Sequence, residues 1–313
     1  MQAIAVVLKE PEHLVLSSLD LSPPGPDDAV VDVEWSGVST GTERLLWSGR
    51  MPPFPGMGYP LVPGYESVGR VTQAGDSCAL TLGQHVFVPG ARCFGEVRGL
   101  FGAAASRVVV PWQRLVPIDQ QLGERGILLA LAATAYHALS APGAMKPERI
   151  VGHGVLGRLL ARLTIATGGE PPIVWERNRK RVSGALDYQV LDPADDPARN
   201  CRVIYDVSGD STLLDALIGR LAPGGEVVLA GFYSEPLSFA FPPAFVREAR
   251  IRVAAEWRQA DLLAVKDLVE SGRLSLDDLI THREGARRAA SAYGIAFDDP
   301  ACLKMVLDWR ACS

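Results

Sequence analysis

The sequence predicts an α/β protein of two domains: a partly open, mostly antiparallel β-barrel, then a doubly wound parallel sheet. Three observations predict it. From Met1 to about Asp119 the chain reads as short β segments broken by glycine and proline. From about Gln120 short apolar strands alternate with helical stretches, the pattern of a parallel sheet covered by helices. The chain has 313 residues, enough for two cores. The boundaries read as 1–119, completed by 279–313, for the barrel and 120–278 for the parallel sheet.

In the first domain the segments are "AIAVVL", "AVVDVEWSGV", "SVGRVTQAG", "QHVFVPG" and "SRVVVP". A helix through Ala138 opens the second domain. The segment "RIVGHGVLGRLLARLTIATG" then gives a strand end and a helix, followed by "PIVWERN", "VIYDVSG", "LLDALIGRLAPGG", "EVVLAGF" and "IRVAAEW". A helix in "QADLLAVKDLVESGRL" and a tail from Leu279 with one more helical stretch complete the order. The nearly uncharged run Gly126–Leu139 would reach about 21 Å as a helix, short of the roughly 30 Å hydrocarbon core, so it reads as a buried helix.

Composition narrows the function classes. The net charge is −5 with basic residues scattered, which leaves no footprint for a nucleic-acid backbone. The densest basic run, "ERNRKR", reads as a solvated turn. The five cysteines are widely spaced and form no CxxC or Cys-His cluster, arguing against a disulfide scaffold and a four-cysteine zinc lobe. The N-terminal "MQAIAVVLKE" lacks the basic region of a secretory signal, so a cytoplasmic location is expected.

Gly152, Gly154 and Gly157 form GxGxxG where a strand passes into a helix that begins at Val155 and Leu156. Such a turn brings backbone close to a pyrophosphate and sets its charge at a helix N-terminus. The next strand ends in Glu176, twenty-four residues after Gly152, where a carboxylate would accept from a ribose diol and repel a ribose phosphate. NAD is therefore expected over NADP, although Arg177, Arg179 or Arg181 could pair with a phosphate. The turns Val207–Ser208 and Gly231–Phe232 lie at strand ends, where doubly wound sheets bind ligands, and should line the same groove. An S-adenosylmethionine site would use a similar glycine turn.

Several stretches together carry a resemblance: "GVSTGTE", "YPLVPGYESVGRV", "GQHVFVP", "TAYHAL", "LAPGGEVVLAGF" and "LITHR". The chain resembles, over essentially its whole length, the medium-chain dehydrogenases of the zinc alcohol dehydrogenase superfamily. The resemblance implies a GroES-like catalytic domain, a Rossmann coenzyme domain and an NAD-linked oxidoreductase. It also implies a homodimer joined at sheet edges through "IRVAAEW". Thr40 stands at the family's catalytic cysteine, Tyr65 at its histidine and Ala130 at its third zinc ligand. These types cannot complete a zinc site, so no metal is expected. Among zinc-free members, "VSTGTE", the short chain and the C-terminal pattern most resemble a branch that oxidises a hydroxyethyl side chain on a chlorin macrocycle.

Without a metal, a general base or hydrogen-bond donor must serve the alcohol oxygen. Thr42 matches the family's hydroxyl relay. Tyr65 suits hydrogen bonding, or acts as a base if its pKa is lowered, and its hydroxyl could instead be satisfied by Glu66 or the backbone. Glu66 could hold Tyr65 or Thr40 in place, and His137 titrates in a useful range although it sits on an apolar helix. A flat substrate would lie between the domains near Trp47, Met51, Phe54 and Met57, which equally suit a packed loop or a subunit contact. Arg44, Arg50 or Arg98 could meet a propionate, and the sequence does not rank them. Two other readings remain open: a zinc-free, NADPH-dependent quinone or enoyl reductase, and a noncatalytic pigment-binding protein.

Overall fold

The computed structural model describes residues 1–53 and 55–312, and the chain divides into two compact units, Met1–Ala130 with Asp277–Ser313, and Leu131–Leu276. The expected boundaries at 119/120 and 278/279 thus shift to 130/131 and 276/277. The reason is packing: Gln120–Leu128 is a 3-10 segment, kinked at Gly123, that buries Leu122, Ile127 and Leu128. A Cβ on Gly126 would lie 2.8 Å from Val68 and 2.9 Å from Ile118, so this segment finishes the first unit's core.

The first unit is organised around the strand Asp28–Val38, whose Ala29 to Val31 and Val33 are buried. On one side it pairs antiparallel with Ser67–Ala74. On the other, its first half pairs with Arg107–Pro111 and its second half with the C-terminal strand Met305–Asp308. The resulting seven-stranded sheet faces a four-stranded one built on the hairpin Gln2–Glu10 and His13–Asp20. That C-terminal strand, with the helix Ala289–Asp298 before it, gives the first unit its last core elements and brings Tyr293 and Lys304 beneath residues some 240 positions earlier.

The second unit is a six-stranded, wholly parallel sheet in the order Gln189–Leu191, Ile173–Trp175, Arg149–Val151, Cys201–Asp206, Leu221–Leu229, Arg250–Val253. Strand order reverses between Arg149–Val151 and Cys201–Asp206, which creates a crevice at the carboxyl ends of both. Ile150, Val203 and Ile204 fill the layer behind it, as expected where helices cover both faces. Arg250–Val253 is an uncovered edge strand, with Val253 74% exposed. No helix among the described residues is long and apolar enough to cross a membrane.

Candidate active site and coenzyme site

The turn Gly37–Glu43 and the segment around Tyr65 meet in the first unit. Gly37 is required here, because a Cβ would stand 2.6 Å from Glu66 Oε2 and 2.9 Å from Ile127. Its close approach lets the chain pass directly over Glu66, and Gly37 N–H donates to the Glu66 carbonyl at 2.7 Å. Three hydroxyls follow from this crossing. The Tyr65 phenol donates to Ser39 Oγ at 2.8 Å, the Thr42 N–H donates to the same oxygen at 3.3 Å, and the Thr42 hydroxyl also hydrogen-bonds the phenol. With both acceptor positions of Ser39 Oγ filled, its own hydrogen is left to donate. Burial, and then the nearby Glu66 carboxylate, push the Tyr65 pKa far above that of free phenol. The ring remains a neutral phenol at any physiological pH, so it is no free base.

Under these hydroxyls lie two fully buried carboxyl groups. Glu66 makes a 2.6 Å ion pair with Lys304 Nζ, and both side chains are sealed from solvent. The expectation that Glu66 holds Tyr65 or Thr40 is therefore corrected: the C-terminal strand delivers a cation to it, and Tyr65 turns to Ser39 instead. Desolvation still raises the Glu66 pKa, with Lys304 opposing. Glu43 accepts from Tyr293 O–H at 2.5 Å and from Ser39 N–H at 3.2 Å. Burial pushes its pKa up to about 7, with Tyr293 and the Ser39 amide opposing. Ser39, Glu43, Tyr293 and Lys304 carry this floor, and sequence reasoning gave none of them a role. Lys304 left one signal, a lone cation inside the apolar run "CLKMVL". Thr40 stays part-exposed on the turn.

The apolar candidates also gather. Trp47, Met51 and Met57 pack with Tyr59 and Phe101 against a small core of Leu8, Leu46, Leu61 and Leu100. Phe101 stands edge-on to Tyr65 with ring centroids 5.3 Å apart, so this shelf is continuous with the hydroxyl cluster. Phe54 lies outside the described residues.

His137 is in the other unit. Its Nδ1 pairs with Asp261 Oδ2 at 2.8 Å, and the same carboxylate accepts from Arg258 N–H at 2.8 Å at the start of the helix Gln259–Glu270. The ring's contact is with a helix-capping carboxylate of its own unit.

The coenzyme candidates converge at the strand-order reversal. Gly152 has φ +101°, and a Cβ there would meet Ser208 at 3.4 Å; a Cβ on Gly157 would strike the Gly152 carbonyl at 1.9 Å. Gly154 caps the helix Val155–Ala166 and offers no side chain, leaving the first-turn amides at Val155 and Leu156 for an anion. A Cβ on Gly231 would stand 3.3 Å from the Val207 backbone, which joins the second and third turns of the crevice, while Phe232 lies half exposed beyond it. Glu176 is oriented by N–H donors from His153 at 3.0 Å and Asn178 at 2.8 Å. Arg177 is exposed. This cradle, closed to a Cβ at Gly157, left-handed at Gly152 and presenting the helix's first amides, fits a dinucleotide.

His153, between the first two glycines, is fully buried, its Nε2 2.8 Å from the Tyr188 hydroxyl and its Nδ1 2.5 Å from the Arg181 carbonyl. Burial pulls its pKa down to about 4, so the ring is neutral, with Nδ1–H donating and Nε2 accepting. Arg158 adds bonds to the carbonyls of Arg181, Ser183 and Gly184, which pins the basic turn after Glu176.

The zinc positions of the resembled family do not fit zinc here. A threonine hydroxyl, a phenol bonded to serine and the methyl group of Ala130 replace three N or S donors. Among the described residues, no three His, Cys, Asp or Glu side chains come together as a metal-holding group.

Comparison with known proteins places this geometry. Residues 25–120 match the alcohol dehydrogenase GroES-like domain. The fold superposes on a short chain alcohol dehydrogenase from E. coli complexed with NADH (TM-score 0.83, 19% identity, 98% and 99% of the two chains). It also superposes on acetophenone reductase from Geotrichum candidum in complex with NAD (TM-score 0.83, 18% identity, 98% and 97%). A GroES-like unit joined to a parallel dinucleotide sheet defines a medium-chain dehydrogenase. Two relatives, from Rhodobacter capsulatus and Cereibacter sphaeroides, are each 57% identical over 99% of both chains, and each is a 2-desacetyl-2-hydroxyethyl bacteriochlorophyllide A dehydrogenase. The chain belongs to that family of dehydrogenases.

Proposed function

We propose that the chain oxidises the hydroxyethyl side chain of a bacteriochlorophyllide to acetyl, with NAD as hydride acceptor and without a metal at the reacting oxygen. The reading rests chiefly on the hydroxyl cluster of Tyr65, Ser39 and Thr42, built from the two segments that resemble the family's zinc-ligand turns, and on closely similar relatives that carry this activity by name. When bound, the nicotinamide supplies the hydride acceptor.

The residues of this chain manage the proton. Because the Tyr65 phenol donates to Ser39, its lone pairs face away from that bond and accept a hydrogen bond from the substrate hydroxyl. As hydride leaves, the substrate proton passes to the phenol oxygen while the phenol proton passes to Ser39. The part-exposed turn Thr40–Thr42 carries it on to solvent. No free phenolate forms, consistent with the strongly raised pKa. Positive charge developing at the carbinol carbon delocalises into the conjugated macrocycle, which lowers the demand for a Lewis acid. Glu176, aimed into the glycine turn by two amides, favours a ribose diol over a ribose phosphate. The uncovered edge Arg250–Val253 supports a homodimer built by sheet continuation, checked by sedimentation of the purified chain.

Purified, metal-analysed protein is mixed with NAD and hydroxyethyl-bacteriochlorophyllide and the absorption bands followed. Conversion is expected, and a flat trace with folded, coenzyme-loaded protein overturns the reading. Tyr65→Phe should lower kcat by about 100-fold. An unimpaired kcat removes the phenol from proton transfer.

A further inference from the structure

A bacteriochlorophyllide carries a free propionate, because the alcohol that esterifies it in the mature pigment is absent. Nothing in the hydroxyl cluster or the apolar shelf meets a carboxylate, so a cation has to be found at a suitable remove. We infer that Arg98 is the carboxylate anchor of the substrate site, a specificity-determining residue at the far end of the shelf from Tyr65.

Three observations carry the assignment, which rests on the proposed substrate class. First, the guanidinium is seated against the shelf's own loop: a Cβ on Gly58 would fall 1.9 Å from Nη1 of Arg98 and 2.7 Å from Cζ. Glycine at position 58 is the condition for the guanidinium to lie there, between Met57 and Tyr59 in sequence, and both of those side chains belong to the shelf. Arg44 and Arg50 are exposed, as Arg98 is, but no glycine of the loop closes on either in this way.

Second, the backbone beneath Arg98 is fixed. Arg98 pairs with Leu61 in a parallel bridge and its N–H donates to the Pro60 carbonyl at 3.2 Å. Beyond it, Leu100 N–H donates to Val62 at 3.0 Å, and Ala103 N–H donates to Gly64 at 2.9 Å. The segment Arg98–Ala103 therefore runs alongside Pro60–Gly64 toward Tyr65. Phe101, three residues on and thus at most about 10 Å of chain from Arg98, is the ring that stands edge-on to Tyr65. Cation, flat apolar surface and hydroxyl cluster lie in that order along one pair of strands. A flat macrocycle with an alcohol at one edge and a carboxylate at another has the same order.

Third, Arg98 has no carboxylate partner among the described residues, whereas many arginines of this unit are paired, Arg70 with Glu34, Arg107 with Asp32, Arg283 with Glu124 and Arg310 with Asp308 among them. A guanidinium presents a planar fork of donors that matches a carboxylate bidentately.

The test uses the full-length enzyme, hydroxyethyl-bacteriochlorophyllide as the free acid and its methyl ester, each assayed for equilibrium binding by pigment fluorescence and for NAD-dependent turnover. Wild type should bind the acid about tenfold or more tighter than the ester, the size of a charge-assisted hydrogen bond. Arg98→Leu should abolish that preference by weakening the acid alone, raising its KM with little change in kcat. Arg98→Lys should restore part of it, and Arg98→Gln serves if the leucine variant fails to fold. Equal losses for acid and ester, or an unchanged acid affinity, overturn the assignment. Binding reads out Arg98 independently of chemistry, so a wild type that discriminates acid from ester without turnover sinks the dehydrogenase reading and keeps the anchor.

Discussion

Replacing Glu43 by glutamine removes a titration that the fold forces on the protein. Glu43 is wholly buried between Tyr293 and the Ser39 amide, and burial lifts its carboxyl from 4.5 to about 7. An acid whose folded pKa lies above its unfolded value binds protons more tightly when folded. Its contribution is therefore fully present below pH 4.5 and is lost as pH rises through about 7. The shift corresponds to about 3 kcal/mol, at roughly 1.4 kcal/mol per unit. Equilibrium urea unfolding of wild type and Glu43→Gln at intervals from pH 5 to 8 isolates this group, because other titrations cancel in the difference. The difference in unfolding free energy should move by about 2.5 kcal/mol in favour of the variant across that range. A difference independent of pH would refute the claim that burial dominates at Glu43, and with it the description of the floor beneath the hydroxyl cluster.

Three further outcomes are expected. Lys304→Met leaves the Glu66 carboxyl buried without its cation and should destabilise the chain by about 3 to 5 kcal/mol, with partial recovery in the double variant carrying Glu66→Gln; thermal unfolding checks both. Gly157→Ala drives a Cβ to 1.9 Å from the Gly152 carbonyl and should weaken NADH binding by about tenfold or more while the first unit keeps its stability, as read by coenzyme fluorescence and urea unfolding. His137→Leu breaks the pair with Asp261 and should cost about 1 kcal/mol with kcat preserved within about twofold; a large fall in kcat at unchanged stability would return His137 to the catalytic machinery.

Much of this molecule was legible in the sequence because the signals were local. The change of period near Gln120 and the glycine turn at Gly152 each follow from short stretches whose backbone demands are fixed by neighbouring residues. The division between units was less legible. Gln120–Leu128 is apolar enough to begin either domain, and only its packing under Val68 and Ile118 assigns it to the first. In the site, Tyr65 and Thr42 could be named from a short motif. Their partners could not, because Ser39 is one more small polar residue in a turn, and Tyr293 and Lys304 lie hundreds of residues away.

By itself the sequence determined the class of fold and the glycine turn with its acidic strand end, and by resemblance it set a threonine, a tyrosine and an alanine at the family's three zinc-ligand positions. Only the tertiary structure decided what those replacements touch. The C-terminal strand pairs with Asp28–Val38 and thereby sets a lysine against Glu66, so the carboxylate is neutralised from below and the phenol is free to turn to Ser39. Buried charges must find partners wherever the chain can bring them, and which partner arrives is a property of strand pairing across the whole unit rather than of any stretch of sequence.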